Sequence, residues 1–347
     1  MVILGTEHGV YVGKEHQASS FTLRLDLPKV TAVDYIADLE LVFVLTDQTL
    51  LYYPASVLED GLSTDGGERS SSIHTSSSSK GRPLGHNVSF FRVGQNFNRW
   101  FILVVKTRRL TTYIKVYESV VCRDPGHRRN IGRVFDRLAR FNTIERFDLY
   151  KELYIPAESK CAHFLKTKVI VGSSRGFEII DLLTLRTQAL LDAADSSLAF
   201  ATSMESCTPL SLFRLPGDLF LVACAEFGVI VDRLGCNAYP PLNQPHFAWV
   251  SVPHAFYYHE PYIIGMSTHM VEIWDVTKLS LVQVIRMTDC KSVDTSSTMN
   301  EPFFLSEDGT SLAPVRYEAV RQQSSVNGPS SERQLFVMKL IKAKPRP

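Results

Sequence analysis

The chain has 347 residues, 45% of them hydrophobic and 21% charged, with a formal net charge of +1. This is the balance of an ordinary globular protein with room for one large domain or two small ones. It neither demands nor excludes an acidic partner, so arguments from charge rest on local clusters. The six cysteines (Cys122, Cys161, Cys207, Cys224, Cys236 and Cys290) lie far apart without a Cys-x-x-Cys pair. That pattern predicts reduced, mostly buried thiols in a cytosolic chain. The longest apolar stretch, Leu219 to Val231, is broken by Glu226 and Gly228. It falls short of the roughly 20 residues of a membrane-spanning helix. Met1 to Val12 begins directly as a strand, without the basic and apolar regions of a secretory signal.

Taken in order, the chain repeats one hairpin. Gly5-Thr6-Glu7-His8-Gly9-Val10-Tyr11-Val12 is the first copy, and the clearest is Lys168 to Leu182, where two β-branched runs flank Gly172-Ser173-Ser174-Arg175-Gly176. Glycine at such a turn supplies the left-handed backbone of a short antiparallel hairpin. Further turns are predicted at Asp47-Gln48-Thr49, Lys106 to Arg109, Glu226, Met266 and Asp308-Gly309. The spacing predicts seven four-stranded blades, since three of the six steps fall in the period of about 40 to 50 residues of a propeller blade. The chain is thus predicted to be all-β, a seven-bladed β-propeller over residues 1–347. Its ring is closed where the last strand, Gln334 to Ile341, joins the first hairpin in one blade, leaving no open edge.

Two of the three longer steps contain visible inserts. Residues 60–86 include Ser70-Ser71-Ser72 and Ser76-Ser77-Ser78-Ser79 with almost no large apolar residue, which predicts a disordered, solvated loop, with phosphorylation as the alternative use. In 123–146, Ile131, Val134, Phe135, Leu138 and Phe141 recur at helical spacing. This predicts a short amphipathic helix on the rim of a β-protein. Thr288 to Asn300 and Arg321 to Arg333 read as loops.

Motifs for chemistry fail on context. Gly172-Ser173-Ser174-Arg175-Gly176 matches Gly-x-Ser-x-Gly, but a nucleophile elbow needs a helix after the turn and Phe177 to Asp181 reads as a strand. The histidines lack metal-site spacing and no Gly-rich phosphate loop occurs, so no catalytic, metal or cofactor residue is predicted. Trp274-Asp275 reads as a strand-end Trp covering the core between blades. The candidate binding residues are basic: Lys106, Arg108 and Arg109 on a turn, then Arg123, Arg128, Arg129, Arg133, Arg137 and Arg140, with His127 among them. Such a set meets an acidic protein surface or anionic lipid, or else is a solvated helix face.

Several phrases resemble a known family. Leu149 to Glu158, Lys160-Cys161 and Val171 to Leu182 are similar to the central block of the citron homology domain. Ala32-Val33-Asp34 with Leu45 to Leu50, Val88 to Gly94 with Ile114 to Tyr117, and Pro261 to Ile264 with Val271 to Trp274 resemble its flanking blocks, in order. The phrasing and the Ser-rich insert most resemble the C-terminal citron homology domain of fungal Rho guanine-nucleotide exchange factors in cell-wall integrity signalling. The resemblance implies a seven-bladed interaction module without catalytic residues, since exchange belongs to a separate helical domain. The partners it implies are a Rho-family small GTPase, other domains of the parent exchange factor, or upstream cell-wall sensors, and not nucleic acid. It implies a cytoplasmic protein recruited to the plasma-membrane periphery. Lipid targeting through the basic insert, including phosphoinositides, and autoinhibitory docking within the parent chain are the alternatives.

Overall fold

The structure, a computed structural model, describes residues 2–14, 17–59, 81–96, 99–121, 145–165, 167–202, 208–240, 244–286, 315–322 and 335–342. Six antiparallel sheets follow one another along the chain. The first contains β1 (Val2–Thr6), β2 (Gly9–Lys14) and β3 (Gln17–Leu25), and the second β4 (Val30–Ile36), β5 (Leu41–Thr46), β6 (Thr49–Pro54) and β7 (Arg82–Gly85). The third holds β8 (Phe90–Asn96), β9 (Arg99–Arg108), β10 (Thr111–Val121) and β11 (Glu145–Ile155). The fourth holds β12 (Ser159–Leu165), β13 (Lys168–Ser173), β14 (Gly176–Asp181) and β15 (Thr187–Ala189). The fifth comprises β16 (Pro209–Leu215), β17 (Leu219–Cys224) and β18 (Gly228–Val231), and the sixth β19 (Ala255–His259), β20 (Tyr262–Met266), β21 (Met270–Asp275) and β22 (Ser280–Arg286). Helix among the described residues is limited to α1 (Ser56–Glu59), α2 (Ala199–Thr202) and two 3-10 turns.

The period of two in a strand explains how these sheets stack. On β9, Ile102 and Val104 enter a core shared with Phe43, Leu45 and Leu50 of the second sheet, while Leu103 and Val105 enter a core shared with Ala162, Val169 and Val171 of the fourth. The same alternation places Ile170 against Leu212 and Val222 of the fifth sheet, and Leu221 and Ala223 against Phe256 and Ile263 of the sixth. A strand buried on both faces reads as an unbroken apolar run, which is why these strands were legible. Successive sheets packed face to face in chain order make an all-β propeller.

Turn chemistry follows the predicted positions. Asp47 and Gln48 stand at φ 43° and 60° between the paired Thr46 and Thr49, a tight turn with both central residues left-handed. Ser174 and Arg175 join β13 to β14 before Gly176 at φ 95°. Ser173 is buried and a strand follows it, so the Gly-x-Ser-x-Gly stretch is a hairpin.

Three expectations are corrected. The described residues form six blades, not seven: β23 (Val315–Gln322) and β24 (Leu335–Lys342) pair only with each other, as a two-stranded ribbon. The predicted seventh turn, Asp308-Gly309, lies outside the described residues. The closing strand also differs: among the described residues β24 pairs with β23 over eight residues and not with β1, and β1 pairs with β2 alone. Finally, part of the predicted disordered insert is a strand. Arg82–Gly85 pairs with β6 at the outer edge of its sheet, where Pro83 loses no ladder bond by lacking an N–H. Residues 60–80 of that insert and 123–144 of the predicted helical insert lie outside the described residues, and Glu145 and Arg146 begin β11.

Candidate functional site

The third sheet carries the described part of the predicted basic set. Lys106 and Arg108 share the β9 face of Ile102 and Val104, but lie beyond the point where the neighbouring sheet covers it. The β9–β10 turn is Arg109-Leu110, two residues later than predicted, with Arg109 at φ 55°. Across the sheet, Lys106 faces Tyr113 of β10, which faces Tyr154 of β11. Antiparallel neighbours at this spacing bring same-face side chains into contact. The two tyrosine rings lie 5.1 Å apart between centroids and are 50% and 57% exposed, while Leu110 at the tip is 77% exposed. One row along, Lys115 Nζ meets Glu152 Oε1 at 2.7 Å, and the hydrogen bond to Glu152 raises the lysine's proton affinity.

The other side of this hairpin is fastened down. Thr112 is buried and its hydroxyl donates to Ala157 O at 2.8 Å while accepting Ser159 N–H at 2.9 Å. Ser89 N–H donates to Val105 O and Ser89 Oγ accepts Thr107 N–H. Both flanking connections are therefore stitched to β9 and β10, which holds the exposed row as a rigid platform.

Arg123, Arg128, Arg129, Arg133, Arg137 and Arg140 lie outside the described residues. Their segment leaves the sheet at Val121 and returns at Glu145, the end of β10 remote from Arg108 and Arg109. At about 3.3 Å per residue, that end of β10 is roughly 33 Å from the β9–β10 turn. Sequence reasoning overlooked Tyr113 and Tyr154. Alternation predicts a shared face for Tyr113 and Lys115, but their pairing with β11 spans the intervening insert, and only the register shows it.

Other polar groups are structural. Glu272 is buried and accepts Val250 N–H, Ser251 N–H and Trp274 Nε1–H. Trp274 packs edge-on to Phe247 and Trp249, as its sequence reading predicted, and Asp275 caps the following turn by accepting Thr277 N–H and Lys278 N–H. His163 Nε2 accepts Leu212 N–H across the fourth and fifth sheets, and desolvation, helped by the Arg92 charge, lowers its pKa to about 3. Cys161, Cys224 and Cys236 are free thiols. Among the described residues no cluster of His, Cys, Asp and Glu is arranged to hold a metal ion, and no helix is long and apolar enough to cross a membrane.

The CNH domain family model matches residues 1–296. The chain belongs to the CNH family. CNH domains are β-propeller interaction modules rather than catalytic domains, in agreement with the expectation from sequence. Rho1 guanine nucleotide exchange factor 1 of Schizosaccharomyces pombe is 32% identical over 290 residues, which cover 82% of this chain and 20% of that protein. RHO1 GDP-GTP exchange protein 2 of Saccharomyces cerevisiae is 23% identical over 312 residues, covering 85% of this chain and 21% of that protein. The chain thus spans about a fifth of these relatives. The solved AfRom2 CNH domain superposes with a TM-score of 0.67 at 28% identity, covering 85% of this chain and 84% of that one.

Proposed function

We infer that this CNH domain is a non-catalytic regulatory module of a Rho guanine-nucleotide exchange factor, acting as one unit over residues 1–347. It binds the Rho-family GTPase or tethers its exchange factor at the periphery of the plasma membrane. The observation that carries this reading is the 32% identity to a Rho1 exchange factor over 82% of the chain. A propeller suits the role, because its strands make a rigid frame while its turns and connections present side chains for contact. Exchange itself then belongs to another part of the parent protein.

Isothermal titration of the purified domain with the GTPase, loaded separately with GDP and a non-hydrolysable GTP analogue, tests direct binding. Saturable heat in at least one state is expected, and a preference between states makes the domain a sensor of exchange. No binding in either state overturns the direct-contact form and leaves tethering within the parent chain.

A further inference from the structure

We propose that the exposed row on the third sheet, Lys106, Tyr113 and Tyr154 with Arg108, Arg109 and Leu110 at its rim, is a docking surface for an acidic polypeptide segment bearing an aromatic or branched apolar side chain. Charge makes the first half of the argument. Lys29, Arg99, Lys160, Arg175, Arg214 and Lys278 each meet a carboxylate of Asp47, Glu118, Glu158, Glu178, Asp218 and Asp275, respectively. Lys106, Arg108 and Arg109 meet no acid among the described residues, although they lie within four positions of one another. Three cations at and beside a fixed turn, without an acid among the described residues, attract a complementary acidic chain and set its orientation.

The aromatic pair supplies the second half. Tyr113 and Tyr154 are half-exposed or more on a strand face, and each holds the other in place through ring contact. Tyrosine and arginine are the side chains that most often carry binding energy at protein interfaces, since they offer a large apolar body with a polar end. Leu110 extends the apolar area to the tip of the turn. The row crosses three strands, about 10 Å in all, which matches three residues of an extended chain. An apolar side chain of such a segment rests on the tyrosine rings, and its flanking carboxylates reach Lys106, Arg108 and Arg109.

A lipid surface fits less well. Glu152 stands on the same face beside the tyrosines and neutralises Lys115, so the cationic area is confined to Lys106, Arg108 and Arg109, the width of a peptide and not of a membrane face. The platform beneath does not move to adapt, because Thr112 and Ser89 fasten it from both sides.

The test uses the complete chain and a fluorescent random copolymer of glutamate and tyrosine, read by anisotropy, with polyglutamate as the charge-only probe. The copolymer is expected to bind at least about tenfold more tightly than polyglutamate. Reversal of the turn (Lys106→Glu, Arg108→Glu, Arg109→Glu) weakens copolymer binding at least about tenfold, and Tyr113→Ser with Tyr154→Ser weakens it about fivefold while leaving polyglutamate unchanged. Arg186→Glu, on an exposed turn of the fourth sheet, is the control and has no effect. The alanine triple Lys106→Ala, Arg108→Ala, Arg109→Ala repeats the measurement should the reversal fail to fold by circular dichroism. Equal affinity for the two polymers, binding untouched by these changes, or no binding overturns the proposal. Flotation on phosphatidylserine vesicles that depends on the turn, without copolymer binding that does, reassigns the surface to lipid.

Discussion

The first and fourth sheets contain the same hairpin in different company. β1–β2 and β13–β14 each close on two residues, Glu7-His8 and Ser174-Arg175, and each resumes at a glycine with positive φ. On the inward side β13 pairs with β12 along its length, whereas among the described residues β1 has no strand there. Ile170 is accordingly fully buried and its counterpart Ile3 only half-buried, and Gly172 is buried where Gly5 is exposed. A Cβ on Gly172 would strike Cys161 of β12 and Pro209 of the next sheet, and one on Gly5 would strike Val30 and Val33 of the next sheet about as closely, so the two glycines differ in the strand beside them and not in the room they have. Similar hairpins thus give a complete blade only where a further strand, here the immediately preceding β12, supplies the inner wall.

The largest expected effect comes from emptying the complete blade. Ile170→Ala is expected to lose about 2–5 kcal/mol in urea denaturation, and Ile3→Ala only about 1 kcal/mol, because a half-covered side chain leaves no cavity. Equal losses would show that the first sheet is covered as fully as the fourth. Amide exchange probes the same contrast along the backbone. N–H groups of β1 directed away from β2 are expected to exchange about 100-fold faster than those of β13 directed towards β12. Comparable protection would mean that an inner strand closes the first sheet in solution.

Near neutral pH the smallest effect is electrostatic. His163 sits on β12, the strand that the first sheet lacks, and its ring accepts Leu212 N–H only when neutral. Its pKa is lowered to about 3, so the unfolded chain takes up the proton first, near pH 6.5. The stability it contributes is present above about pH 6.5 and is lost as pH falls from there towards 3, with a slope of at most about 1.4 kcal/mol per pH unit. His163→Gln is expected to flatten this acid limb in thermal unfolding, while leaving stability above pH 7 lower by about 1 kcal/mol. An unchanged limb would place the titration elsewhere.

Much of the fold was legible because the central strands are apolar on both faces and their turns carry left-handed residues. Asp47-Gln48 and Gly172 to Gly176 mark their hairpins without help from the rest of the chain. The blade count was not legible in the same way: Asp308-Gly309 looks like the other turns, yet among the described residues β23 and β24 pair only with each other. Half of the candidate surface was legible too, since Lys106, Arg108 and Arg109 are adjacent in sequence. Its aromatic half was not, because Tyr113 and Tyr154 lie 41 positions apart and meet only through the β10–β11 register.

Sequence alone therefore determined the hairpins, the alternation that feeds each strand into two cores, and the family to which the chain belongs. These depend on neighbouring residues, and on a period of two that any strand imposes. Tertiary structure decided which strand lies beside which and, among the described residues, that the first sheet lacks an inner partner and that two tyrosines stand beside three cations without an acidic partner. Such pairings join distant segments, and their free energy depends on register and burial, which no local pattern encodes.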